Sequence, residues 1–137
     1  DQSNIEGCDV DLILLLPKNP DGSARSLKLG LERRFRVSLA VVIADSFGRP
    51  FRNGTTGIAI GASGLSSFVD KRGAPDLFGR PLEVSTIAHG DEIASAASLI
   101  MGQADEGAPV VLIRGLDPTA DVPASALIRP IDEDLFR

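Results

Sequence analysis

The chain lacks tryptophan and tyrosine, holds one cysteine and one histidine, and has no long apolar run. Each shortage excludes something. Without Trp or Tyr, the core must come from aliphatic residues and a few of the six phenylalanines. A single cysteine, Cys8, can form neither an internal disulfide nor a four-cysteine zinc site, and it suits a reducing cytoplasm. The aliphatic stretch LILLL, Leu12 to Leu16, falls far short of the ~18 residues a membrane helix needs. The opening residues do not read as a secretory leader, since a basic start and an apolar centre are both missing. Charge of one sign is also scarce: 14 basic residues stand against 19 acidic ones, giving a net charge of −5. With no basic run and no interleaved aromatics, a nucleic acid polymer is a poor partner. A small phosphate ligand stays open, because a local pair of arginines can serve one inside an acidic protein.

What is present suits one domain. A length of 137 residues can enclose one core. The sequence starts at Asp1 rather than at methionine, and DQSNIEGCDV reads as the middle of something, so a fragment or processed product is expected.

The apolar pattern predicts a buried strand over Asp11–Leu16, closed by PKNPDG, and a helix capped by Asp21 or Ser23 with Leu27, Leu31 and Phe35 along one face. Val37–Ala44 reads as a second buried strand, rich in β-branched residues, followed by an irregular loop over Asp45–Thr56. GIAIG reads as a third strand, residues 64–82 as loop, and Glu83–Ala88 as a strand. GDEIASAASLIMG is the clearest helix, with Asp91 and Glu92 in its first turn, Ile93, Ala97 and Ile100 facing inward, and Gly102 ending it. APVVLIRG reads as another strand and the proline-bearing tail as extended chain. Strands and helices alternate only in part, which gives an α+β or α/β class.

Three places carry chemistry. In AVVIADSFGRPFRNG an aliphatic run gives way to Asp45 and Ser46, two hard oxygen donors of the kind Mg²⁺ or Mn²⁺ takes. A simple cap or turn explains Asp45 equally well. Arg49 and Arg52 follow in the same loop; guanidinium forks match phosphate oxygens, and a solvated surface is the plainer explanation. MGQADEGA brings Gly102 and Gly107 around an acidic turn where amides could approach an anion, or where a helix merely stops. Gln103 is a neutral oxygen donor there. GIAIGASG matches neither the dinucleotide nor the phosphate-loop pattern. Ser63 lacks a nucleophile elbow, and His89 reads as a core or capping residue.

Together, LLLPKNPDGSARSL, VVIADSFGRPFRNG, AIGASGL, GAPDLFGRPLEV, DEIASAASLIMGQADEGAPVVLIRG and the closing DLFR resemble the coenzyme F-420 γ-glutamyl ligase family, in the family's order. The resemblance implies that residues 1–137 are the C-terminal portion of one ligase domain, an α+β fold with a mixed sheet and flanking helices. It further implies a cytoplasmic enzyme, a homodimer, that adds L-glutamate to the deazaflavin precursor of coenzyme F-420. GTP would be the co-substrate and Mn²⁺ or Mg²⁺ the divalent ion, with K⁺ a candidate monovalent ion. The precursor carboxylate would first become an acyl phosphate, chemistry that needs positioning and charge neutralisation rather than a protein nucleophile. Carried over by position, Asp1, Asp45, Ser46 and Gln103 would hold metal. Asn4 and the loop Met101, Gly102, Gln103, Ala104, Asp105, Glu106, Gly107 and Ala108 would contact the nucleotide. Two alternatives stand beside this one: a module that binds metal and nucleotide without turnover, and a structural fragment in which the Asp45 turn is only a turn.

Overall fold

The computed structural model describes residues 13–116 and 120–134. Its frame is a β-hairpin with two helices laid on it. Helix α1 spans Pro20–Phe35. Strands β1 (Val41–Gly48) and β2 (Thr55–Ser63) pair antiparallel. The short strands β3 (Val69–Asp70) and β4 (Thr86–Ile87) form a second antiparallel pair, and helix α2 spans His89–Met101. Two 3-10 turns, Ala124–Leu127 and Ile131–Glu133, occupy the tail, which is therefore not simply extended. The class is α+β. The ladders of the described residues are antiparallel, and parallel pairing occurs only at the isolated bridge Ser66–Val122.

Helix α1 begins earlier than the sequence places it, with Pro20 preset for the first turn. Its cap is Asn19, whose side-chain oxygen accepts from the Gly22 amide at 2.9 Å, rather than Asp21 or Ser23. Asp21 is turned outward from the helix to other work: its carboxylate accepts from the amides of Ala62 and Ala124, at 2.9 and 2.8 Å. At the other end Arg36 adopts φ 56°, and its amide closes on the Glu32 carbonyl. The face carrying Leu27, Leu31 and Phe35 lies open, with Phe35 61% exposed. Helix α1 is held through Ala24 and through Gly61, where a Cβ would run into the Pro20 backbone.

Strand β1 differs from the sequence expectation at both ends. The ladder starts only at Val41, because its partner stops at Ser63 and Gly64, at φ +85°, turns the chain away. It then continues through Asp45 and Ser46 to Gly48, so the expected loop over Asp45–Thr56 shrinks to residues 49–54. Polar side chains did not end the strand, since ladder hydrogen bonds are made by the backbone. A bulge between Ile43 and Ala44 shifts the register; beyond it Asp45 faces Ile58 and Ser46 faces Gly57.

Other expected strands are shorter or missing. Glu83–Ala88 contributes only Thr86–Ile87. Residues 13–16 and 108–115 belong to no strand, and Leu15 and Val110 are 81% and 84% exposed. An apolar run becomes a strand only when it pairs with a neighbouring edge, and these two runs join no ladder among the described residues. Asp11 lies outside the described residues. Helix α2 buries Gly90 and Ala94, while Ile100, expected inward, is 67% exposed. The core that results is made of alanines: Ala59, Ala62, Ala94 and Ala124, flanked by Val42, Ala44 and Leu127.

Candidate functional site

Small residues bring the two strands and α2 close enough for side chains far apart in sequence to meet. Burial alternates along β2, with Gly57, Ala59 and Gly61 covered and Thr56, Ile58 and Ile60 only half-covered. Gly57 permits the contact: a Cβ there would press on the Ala94 carbonyl of α2. Asp91 ties the same two elements, its carboxylate accepting from the Ala59 amide at 2.8 Å. The N-cap of α2, Ala88, makes no side-chain cap. His89 Nδ1 instead lies 3.1 Å from the Ser66 carbonyl, which can only accept, so this nitrogen carries the proton and His89 is an anchor.

On this frame Ser46 and Gln103 meet. The Ser46 hydroxyl donates to Gln103 Oε1 in a very short contact across 57 residues of sequence. The neighbouring Asp45 carboxylate turns back to accept from the Ser46 amide at 2.8 Å. Both residues are exposed on the second half of β1. Successive strand residues point to opposite faces. Ser46 reaches toward the end of α2, and Asp45 therefore projects from the other side of the strand. Asp1 and Asn4, the remaining expected contacts, lie outside the described residues. Among the described residues no three His, Cys, Asp or Glu side chains gather as a metal cluster. The donors that do converge are a hydroxyl and an amide oxygen, with one carboxylate adjacent. That hard, neutral-to-anionic set fits Mg²⁺ or Mn²⁺ and not a thiophilic ion.

The turn after α2 is wrapped around an anion of its own. Gly102, at φ +73°, ends the helix, and its amide closes on the Ser98 carbonyl at 3.1 Å. The Glu106 carboxylate folds over Gly102 so closely that a Cβ there would collide with it. It accepts from the Ala104 amide at 2.8 Å. Amides at Ala104, Glu106 and Gln103 hold this carboxyl below its ordinary range. Met101 is the last residue of α2, and Asp105, Gly107 and Ala108 complete the turn, with Gly107 at φ +64°.

A cleft of about 510 Å³ opens beside β2, between the start of β2, β4 and the first turns of α2. Arg49, Asp91 and Glu92 are among its walls. Arg49, Asp91 and Glu92 stand out in the sequence one by one, but their meeting here does not, because the walls come from separate segments brought together only by the fold. Arg52 is not among the lining residues, although its amide lies 3.4 Å from the Arg49 carbonyl in the same turn.

Comparison with known proteins identifies the family. The profile of the F420-0:Gamma-glutamyl ligase family matches residues 1–115. The coenzyme F420:L-glutamate ligase of Methanocaldococcus jannaschii is 48% identical over 138 residues, covering all of this chain and 54% of that protein. The protein of the same name from Methanopyrus kandleri is 48% identical over 130 residues, covering 91% of this chain and 52% of its own length. That of Archaeoglobus fulgidus is 39% identical over the whole chain. The chain spans about half the length of the curated relatives it matches. With an α+β frame and a family match over most of its residues, the chain belongs to the F420-0:Gamma-glutamyl ligase family.

Proposed function

We propose that this chain forms the metal- and nucleotide-binding part of a GTP-dependent ligase that joins L-glutamate to a coenzyme F-420 precursor. The observation that carries the proposal is the meeting of Ser46 and Gln103. Two residues expected as metal ligands, 57 residues apart in sequence, converge on one face of β1, with Asp45 beside them. Strand alternation divides this set. Ser46 Oγ and Gln103 Oε1 would hold an ion on the α2 side, and Asp45 would offer its carboxylate from the other side of the strand.

A divalent ion bound there supplies charge neutralisation to the phosphate oxygens. The residues supply position. The Gly102–Gly107 turn already directs amides at an anionic oxygen of Glu106, and a nucleotide phosphate offers oxygens of the same kind. In the reaction an oxygen of the precursor carboxylate attacks the γ-phosphorus of GTP, and the bond to the leaving GDP breaks. The glutamate amine then attacks the acyl carbon; the C–N bond forms, inorganic phosphate leaves, and the amine proton passes to solvent. No protein nucleophile is required, and the described residues around Ser46 include no activated serine or cysteine pair.

The test is calorimetric titration of Mn²⁺, with and without GTP, into the chain and into its Gln103→Ala and Asp45→Asn variants. Binding coupled to GTP should weaken at least ~10-fold in each variant, since removing a direct donor costs no less than disturbing an outer partner. Variants that bind Mn²⁺ and GTP as tightly as the parent would overturn the assignment.

A further inference from the structure

The cleft beside α2 has no role in the metal and nucleotide assignment above. Its position links it to that site all the same. Ser46 pairs with Gly57 across the ladder, and Gly57 is part of the cleft floor, its carbonyl accepting from the Ser95 hydroxyl at 2.8 Å. Paired strands lie about 5 Å apart, so the cleft opens roughly one strand's width from Ser46.

Its chemistry is mixed in sign. Arg49 stands among the cleft walls with Asp91 and Glu92, and the hydroxyls of Thr56 and Ser95, 3.0 Å apart, line the floor. Asp91 is partly committed, because one of its oxygens holds the Ala59 amide. Glu92 is exposed and projects from the first turn of α2. A polyphosphate would meet two carboxylates there and be repelled. The α-carboxylate and ammonium of an amino acid would meet one guanidinium and one free carboxylate, and a side-chain carboxylate would be left to the hydroxyls and the open side of the cleft.

We infer that this cleft receives the acceptor amino acid, its carboxylate on the Arg49 guanidinium and its ammonium on the Glu92 carboxylate. The inference rests on the ligase reading, which supplies L-glutamate as the substrate. A cleft of about 510 Å³ lies within the usual range for small-molecule sites and has room for glutamate with water. It also divides the two loop arginines: Arg49 serves the amino acid, and phosphate is left to Arg52 and the amides of the Gly102–Gly107 turn.

Two-dimensional amide spectra of the chain test this against L-glutamate, glutarate, which lacks the ammonium, and 4-aminobutyrate, which lacks the α-carboxylate. L-Glutamate should shift amides of Thr56–Ile58 and Thr86–Ser95, and both analogues should bind more weakly. Arg49→Ala and Glu92→Gln should each weaken L-glutamate at least about tenfold, as expected for loss of a charge-assisted contact. Shifts centred elsewhere, no shifts at all, or equal binding of glutarate would overturn the inference. Line broadening by Mn²⁺ at Ser46 and Gln103, read in the same samples, separates the two assignments. Broadening there without glutamate shifts in the cleft sinks the pocket alone, and no broadening there sinks the ligase reading beneath it.

Discussion

The Asp21 carboxylate gathers amides from two other elements, those of Ala62 in β2 and of Ala124 and Ser125 in the first 3-10 turn, the last at 3.2 Å. Burial alone would raise its pKa. The amides and the Ser125 hydroxyl outweigh burial, and the carboxyl sits below the ordinary aspartate range. A depressed folded pKa stabilises the fold above the unfolded value and loses that contribution as pH falls through the folded one. The chain should therefore lose stability below about pH 4, and Asp21→Ala should remove that share of the acid sensitivity. At neutral pH the same variant leaves part-buried amides without an acceptor and should cost about 2–4 kcal/mol in urea unfolding. An unchanged midpoint would show that water replaces the carboxylate without loss. Nothing in the sequence announced this role, because the three donors lie 41, 103 and 104 residues away from Asp21. Helix-capping logic, which reads only near neighbours, assigned Asp21 to the helix. The exposed Asp70–Arg72 pair is the contrasting case: a 2.6 Å contact takes the Asp70 carboxyl to about 2, yet an ion pair so open to solvent adds little stability.

At the scale of the element, α2 and β2 are joined by missing side chains as much as by present ones. A methyl group at Gly57 would meet the Ala94 carbonyl at 2.5 Å and the Ser95 amide at 3.2 Å, both backbone atoms. Neither can swing aside, so Gly57→Ala should push the helix off the strand and cost about 1–3 kcal/mol. Chemical denaturation measures that loss. The Ser46–Gln103 contact should open with it and weaken Mn²⁺ binding, whereas Gly30→Ala, which meets nothing within 4 Å, should leave both unchanged. The helices and the GIAIG strand were legible from periodicity and, for α2, from its acidic first turn and Gly102, whereas the cap of α1 was not. The ends of β1 were not, because its length is set by where β2 turns at Gly64, a fact of pairing rather than of its own residues. The donors Asp45, Ser46 and Gln103 could be named from their types and from the family resemblance. That Ser46 and Gln103 touch follows only from α2 lying across the hairpin.

The molecule as a whole has much apolar surface and a thin core. Four alanines form its buried cluster, while Leu15, Val84, Leu99 and Val110 are each more than 80% exposed. Patches of this kind mark surfaces that another polypeptide normally covers. The chain should accordingly enhance the fluorescence of an apolar dye, and the same segment within a chain of its relatives' full length should do so much less. Equal signals from the two would mean that this surface faces water in the complete protein as well. Aliphatic runs such as residues 13–16 and VVLI promised strands that do not form among the described residues. A run of aliphatics records that burial is available somewhere, and half of each relative's length lies beyond the matched region.

The bulge between Ile43 and Ala44 has one more implication. A strand normally keeps a single alternation from end to end, so an adjustment at either end is transmitted to the other. The extra residue sits in the partner: Ile43 faces Gly61 and Ala44 faces Ala59, which leaves Ile60 of β2 unpaired. β1 itself keeps one beat throughout, so Ser46 shares a face with Val42 and Ala44, which pack on the alanine core. Oxygen donor and hydrocarbon are thus aimed together. A residue inserted between Ala44 and Ser46 would turn Ser46 to the opposite face, because the slack lies in β2 and not in the strand that carries the donors.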